Sequence, residues 1–102
     1  MYAVIFRATV ARLDDQYHAT ARRLRRLAME RYGCLDFVAF SEGDRELAVS
    51  WWESEAQIRA WKADPEHRAA QALGRERWYR DYRVEVVEVK RDYRFGPEPP
   101  EE

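Results

Sequence analysis

Residues Tyr2 to Val10 form an apolar, β-prone run broken only by Arg7 and Thr9. A run so continuous predicts a strand covered on both faces. The period then changes. After Asp14-Asp15, which supply an N-cap, Tyr17, Ala21, Leu24 and Ala28 recur at the i, i+4, i+7, i+11 spacing of one helix face. Gly33 stands where a left-handed residue would end that helix. Leu35 to Ser41 predicts a second strand, and Glu42-Gly43-Asp44 a turn. Glu46 to Glu53 predicts a third strand, in which Leu47, Val49 and Trp51 alternate with Ala48, Ser50 and Trp52. Ser54 with Gln57 makes a capping box for a short helix to about Lys62, and Asp64-Pro65 opens another that runs to about Tyr79. Tyr82 to Arg91 predicts the last strand. There Val84 and Val86 share one parity while Val87 and Val89 share the other, which calls for a bulge or for burial on two sides.

The order β-α-β-β-α(α)-β defines an α+β fold: the ferredoxin-like split βαβ arrangement, a four-stranded antiparallel sheet with helices on one face. The opposite face is left bare. Because the strands are apolar on both parities, a homodimer joined through that face is expected. Residues 1–93 read as one domain and 94–102 as a disordered tail rich in Pro and Glu.

Size and charge sharpen this picture. A chain of 102 residues buries only about 65% of its unfolded surface. Four tryptophans, six tyrosines and four phenylalanines are more than so thin a core easily hides, so a partner surface or a ligand pocket is implied. With 18 basic against 19 acidic residues there is no field to hold nucleic acid or an anionic membrane. The run Arg22-Arg23-Leu24-Arg25-Arg26 reads as a solvated helix face. Cys34 stands alone, which excludes an intramolecular disulfide and a four-cysteine metal site and fits a reducing compartment. MYAVIFR has no basic region ahead of its apolar run, and no segment approaches a membrane span, so a cytoplasmic location is expected.

Trp52-Glu53-Ser54 leading into a short helix, then Trp61-Lys62-Ala63-Asp64-Pro65-Glu66-His67, then Gly74-Arg75-Glu76-Arg77-Trp78-Tyr79 before a final strand, resembles the antibiotic biosynthesis monooxygenase family over roughly residues 1–93. The resemblance implies a dimeric α/β barrel of ferredoxin-like protomers, with a pocket between helices and sheet in each. Some relatives oxidise phenolic or polycyclic aromatics with O2 and no cofactor. Others degrade haem through a histidine on the helix after the tryptophan and an asparagine on the first strand. This chain contains no asparagine, and the place of the haem-binding histidine falls near Gln71, one helical turn after His67. Haem breakdown by that route is therefore disfavoured, and no cofactor is expected. The asparagine that some cofactor-free relatives use to hold the substrate carbonyl is missing as well.

Oxidation without metal or flavin needs a substrate anion, a proton acceptor and a water-poor pocket. His67, the histidine near the tryptophan cluster, is the candidate base. At about N3 of its helix it should be mostly neutral at pH 7, because the helix start disfavours the imidazolium form. The competing reading makes it a surface residue bonded near the helix start. Trp61 either walls a pocket or plugs the gap between two short helices. Trp51 and Trp52, adjacent on a strand, must face opposite sides of the sheet, and Trp52 stands in the family's usual tryptophan position. His67 and Trp61 are thus the catalytic candidates, and Trp52, Tyr79 and Arg83 the substrate-binding ones. The expected reaction is cofactor-independent oxidation of a small phenol- or quinol-like aromatic with O2. The alternative is a non-catalytic dimeric module that binds a small molecule.

Overall fold

The computed structural model describes residues 1–97. Its strands are β1 (Tyr2–Val10), β2 (Asp36–Glu42), β3 (Arg45–Trp52) and β4 (Tyr79–Glu88), and its helices α1 (Asp15–Arg31), α2 (Glu55–Lys62) and α3 (Pro65–Leu73). The four strands form one sheet in the order β2-β3-β1-β4, with every neighbouring pair antiparallel. This is the ferredoxin-like arrangement expected from the element order. Among the described residues no helix is long and apolar enough to cross a membrane.

The helix starts follow their local chemistry. Asp14 accepts from the Tyr17 backbone N–H at 2.8 Å, and its other oxygen accepts from Arg77 at 2.7 Å, tying the start of α1 to the segment before β4. Ser54 and Gln57 form the reciprocal capping box of α2. Asp64 accepts from the Glu66 N–H at 2.8 Å and from the Tyr32 hydroxyl at 2.6 Å, which anchors α3 to the end of α1. Gly33 follows α1 with φ of 80°, the left-handed geometry that a side chain would strain.

Register decides the faces. Val4 pairs with Ser50 and Val86, and Phe6 with Ala48 and Val84, so the even-numbered residues of β1 and β3 look toward the helices. Trp52 therefore lies under the helices and is fully buried, its indole N–H donating to Ser50 Oγ at 2.8 Å, while Trp51 lies on the opposite face. The core joins Val4, Ala28, Cys34, Trp52, Ile58 and Trp61. On the helix-free face Phe40, Leu47 and Val87 are exposed, alongside the half-buried Ile5, Val38, Val49 and Trp51.

Two expectations for the C-terminal half need correction. The last helix does not run to Tyr79: regular α-helix ends at Leu73, and Gly74–Trp78 forms one wide π turn. β4 begins at Tyr79 and ends at Glu88, rather than spanning Tyr82 to Arg91, because the N-terminal strand runs out of partners. After the Tyr2–Glu88 pair the Val89 N–H still donates to the Met1 carbonyl at 2.9 Å, and the chain has nothing left to pair with residues 90 and 91. The bulge lies opposite Thr9/Val10, where Val10 pairs with Tyr79 although Thr9 pairs with Asp81. At Val86 and Val87 the register is unbroken, and the strand is simply apolar on both faces. Residues 91–97 carry no regular structure, and residues 98–102 of the expected tail lie outside the described residues.

Candidate active site

The apolar stripe of α1 is closed at its ends and open in its middle. Tyr17, Leu27 and Ala28 are buried, whereas Ala21 is exposed and Leu24 only half-buried. Thr20, Ala21 and Leu24 instead wall a cavity of about 170 Å³ between α1, α3 and the sheet. Its floor is Val4, Phe6, Ala48, Ser50 and Val84. Its remaining walls are Phe37 and Ala39 from β2, Trp61 and His67 from the α2–α3 corner, and Trp78, Tyr79 and Tyr82 around the start of β4. Ala21 and Ala39 are exposed as well as lining, so the cavity opens to the surface.

At the α2–α3 corner Trp61 packs on Trp52 with ring centroids 5.2 Å apart and meets Phe37 edge-on at 6.1 Å. His67 stacks flat on Trp61 at 4.2 Å and 15°. The Pro65 start makes this possible, because Asp64-Pro65 turns the chain so that the N3 side chain of α3 folds back over the last turn of α2. His67 Nδ1 lies 3.3 Å from the Trp61 carbonyl. A carbonyl can only accept, so Nδ1 carries the hydrogen and Nε2 is the ring's acceptor. Burial holds His67 below its ordinary pKa of 6.5, against the opposing pull of the Trp61 carbonyl, and Lys62 adds to the lowering. The imidazole is neutral at pH 7, as its N3 position also favours. The Trp61 indole N–H is buried without a partner, a donor whose unmet hydrogen bond costs about 1–3 kcal/mol.

The end near β4 is aromatic and hydroxylated. The bulge returns Tyr79 to the helix face, so Tyr79 and Tyr82, three apart in sequence, both line the cavity. Phe6 meets Tyr79 edge-on at 5.3 Å and Tyr82 at 5.5 Å. Tyr17 lies edge-on to Tyr79 at 6.0 Å and to Trp78 at 5.2 Å. The Tyr17 and Tyr79 hydroxyls and the Glu46 carboxylate gather at this end of the cavity, and the Glu46 charge opposes ionisation of both phenols. Glu46 accepts from the Ser41 hydroxyl. Burial, and then the Tyr17 hydroxyl, push the Tyr79 phenol far up, and burial raises Tyr17 too, so both remain protonated donors. Gly74 lets this end form: a Cβ there would stand 2.9 and 3.0 Å from Tyr79 Cε2 and Cδ2.

The sequence candidates are thus distributed. Trp61, His67 and Tyr79 line the cavity. Trp52 is fully buried behind Trp61 and is not among its walls. Arg83 is exposed on the other face of the sheet, directly opposite Arg7 in the ladder and away from the cavity. Tyr17, Glu46, Tyr82 and Gln71 also line the cavity and were not singled out as site residues. In the sequence Tyr17 reads as one position of the α1 apolar stripe. Glu46 carries no local signal beyond its even parity on β3, which it shares with Ser50 and Trp52. Among the described residues no three His, Cys, Asp or Glu side chains gather to hold a metal ion.

Fold and cavity define a ferredoxin-like α+β domain with an apolar chamber under its helices. The family described as antibiotic biosynthesis monooxygenase matches residues 1–73, most of the chain. The chain is 39% identical over 95 residues to the Bacillus subtilis protein YqjZ, itself described as uncharacterized, covering 92% of this chain and 83% of that one. SnoaB, a cofactor-independent oxygenase from Streptomyces nogalater, superposes with a TM-score of 0.75 at 13% identity over 89% of this chain and 94% of its own. A conserved protein from Methanosarcina mazei superposes at 0.74 with 12% identity, over 87% and 92%. At such identities the structural likeness extends to the fold alone. The chain belongs to the antibiotic biosynthesis monooxygenase family.

Proposed function

We propose that this chain works as a cytoplasmic homodimer that oxidises a small phenol- or quinol-like aromatic with O2 and without a cofactor. The carrying observation is the His67–Trp61 stack at the cavity wall. A neutral imidazole, its tautomer set by the Trp61 carbonyl, offers Nε2 as a proton acceptor beside an aromatic surface in an apolar chamber.

The size supports a small substrate. An apolar cavity of about 150 Å³ takes up benzene, and one of about 170 Å³ that opens to the surface suits one or two rings. In the proposed reaction Nε2 takes the phenolic proton and the phenolate passes one electron to O2. Ring radical and superoxide then couple to form a C–O bond. The resulting hydroperoxide loses water to leave a carbonyl, so one oxygen atom enters the quinone and the other departs as water. Excluding water keeps the phenolate reactive and strengthens its contacts with fixed dipoles. SnoaB, with the same fold, is described as a cofactor-independent oxygenase, which is consistent with this chemistry. The exposed Phe40, Leu47 and Val87, with Val49 and Trp51 between them, support the second copy.

Oxygen uptake with a panel of phenols and hydroquinones tests the reading. It expects uptake above the blank that falls about 100-fold or more in His67→Gln, the scale of a lost general base. No uptake across the panel, or uptake unchanged in His67→Gln and Trp61→Phe, overturns it. Quenching of tryptophan fluorescence without turnover would leave a binding module instead.

A further inference from the structure

The cavity has two polar ends separated by apolar walls. His67 and Trp61 stand at one, and Tyr17, Tyr79 and Glu46 at the other, with Val4, Phe6, Ala48 and Val84 between. The ladder measures the separation. Ser50 pairs with Phe37, the ring against which Trp61 packs, and so marks the first end, while Glu46 belongs to the second. The four residue steps between them along β3 span about 14 Å at roughly 3.4 Å each. With a hydrogen bond of about 2.8 Å at each end, a strand spacing of that order matches two ligand oxygens roughly 8 Å apart or less. That reach takes in the opposed hydroxyls of one ring or of two fused rings.

The second end has its own chemistry. Glu46 reaches the cavity from the half-exposed start of β3, whereas Tyr17 is 8% exposed, so a carboxylate and two phenolic hydroxyls meet a chamber otherwise lined by hydrocarbon. A carboxylate only accepts, and a hydroxyl placed against it forms a charge-assisted bond about twice as strong as a neutral one. A ligand that presents a bare C–H edge there fills the space but offers these three polar groups no hydrogen-bond partner.

We propose that Tyr17, Tyr79 and Glu46 form a recognition site for a second hydroxyl, so that the cavity selects planar aromatics carrying hydroxyls at opposite ends over those carrying one. The selection rests on the reading of the cavity as an aromatic site, with the first hydroxyl at His67 Nε2. Tyr17 and Glu46 act here as specificity residues, because each contacts the far oxygen and neither accepts the proton that starts the chemistry.

Calorimetric titration under anaerobic conditions separates the two ideas. The probes are toluene, phenol and hydroquinone, and in parallel naphthalene, 2-naphthol and 2,6-dihydroxynaphthalene. In at least one series the diol is expected to bind about tenfold more tightly than the mono-ol. Glu46→Gln and Tyr17→Phe should erase that step while leaving mono-ol affinity within about twofold, which also shows that the variants fold with an intact cavity. Equal binding of diol and mono-ol in both series, or a step that survives both variants, overturns the second recognition site and leaves the aromatic reading standing. If none of the six compounds binds, the aromatic reading falls and the selection with it.

Discussion

Gly74→Ala sets two effects of opposite sign against each other. Gly74 has φ of −59° and ψ of −48°, so nothing in the backbone requires glycine, and alanine would gain up to about 1 kcal/mol from helix propensity. The added methyl, however, would lie 2.9 Å from Tyr79 Cε2 and 3.0 Å from Cδ2, closer than carbon atoms approach. The Tyr79 ring has little room to retreat, since Phe6 is 5.3 Å from it, Tyr17 6.0 Å and Tyr82 6.1 Å. Overpacking of this kind costs about 1–3 kcal/mol and should exceed the propensity gain. A net loss of about 1–2 kcal/mol lowers Tm by roughly 4–16 °C in a domain of this size. Thermal unfolding followed by circular dichroism measures it. The decisive control is Tyr79→Ala, which removes the obstructing ring. In that background Gly74→Ala should turn neutral or stabilising, and the cycle isolates the clash. A Gly74→Ala protein as stable as the wild type, or a penalty that persists without the Tyr79 ring, would refute the reasoning.

His67 has a folded pKa below its unfolded 6.5, so the unfolded chain binds the extra proton first and stability falls as pH drops below about 6.5. Denaturant unfolding between pH 7.5 and 5.5 should show a smaller loss for His67→Gln than for the wild type, and parallel losses would remove burial as the cause of the lowered pKa. Trp61→Phe removes a buried indole whose N–H has no partner but opens space against Trp52 and His67. A cost of about 1–2 kcal/mol in urea unfolding is expected, well short of the 3–5 kcal/mol of a tryptophan-to-alanine change. Val49→Glu places a charge between Ile5 and Val38 on the helix-free face. Sedimentation should change from dimer to folded monomer, and a wild type that sediments as one chain at micromolar concentration would sink the dimer.

Much of the architecture was legible because it depends on short-range chemistry. Asp14, Ser54 and Asp64 cap helices wherever their chains lead, and Gly43 at φ of 58° turns the β2–β3 hairpin as its neighbours predict. The end of the last helix was not legible. Arg75-Glu76-Arg77 continues a helical pattern, and what stops it is the pairing of Tyr79 with Val10, residues 69 positions apart in sequence.

The site divides along the same line. Trp61 and His67 were visible because Asp64-Pro65 couples two neighbouring helices locally, and their stack follows from a spacing of six residues. That Trp51 and Trp52 oppose each other followed from strand geometry; which of them lies under the helices needed the register of β1 on β3. Arg83 shows the cost of lacking it, since one step of parity sends the side chain to the other face of the sheet. Alternation, capping and turn residues act within a few bonds and are written in the chain itself. The cavity and its second polar end join Tyr17, Glu46 and Tyr79 from three distant elements, and only the packing of α1 over a bulged sheet could bring them together.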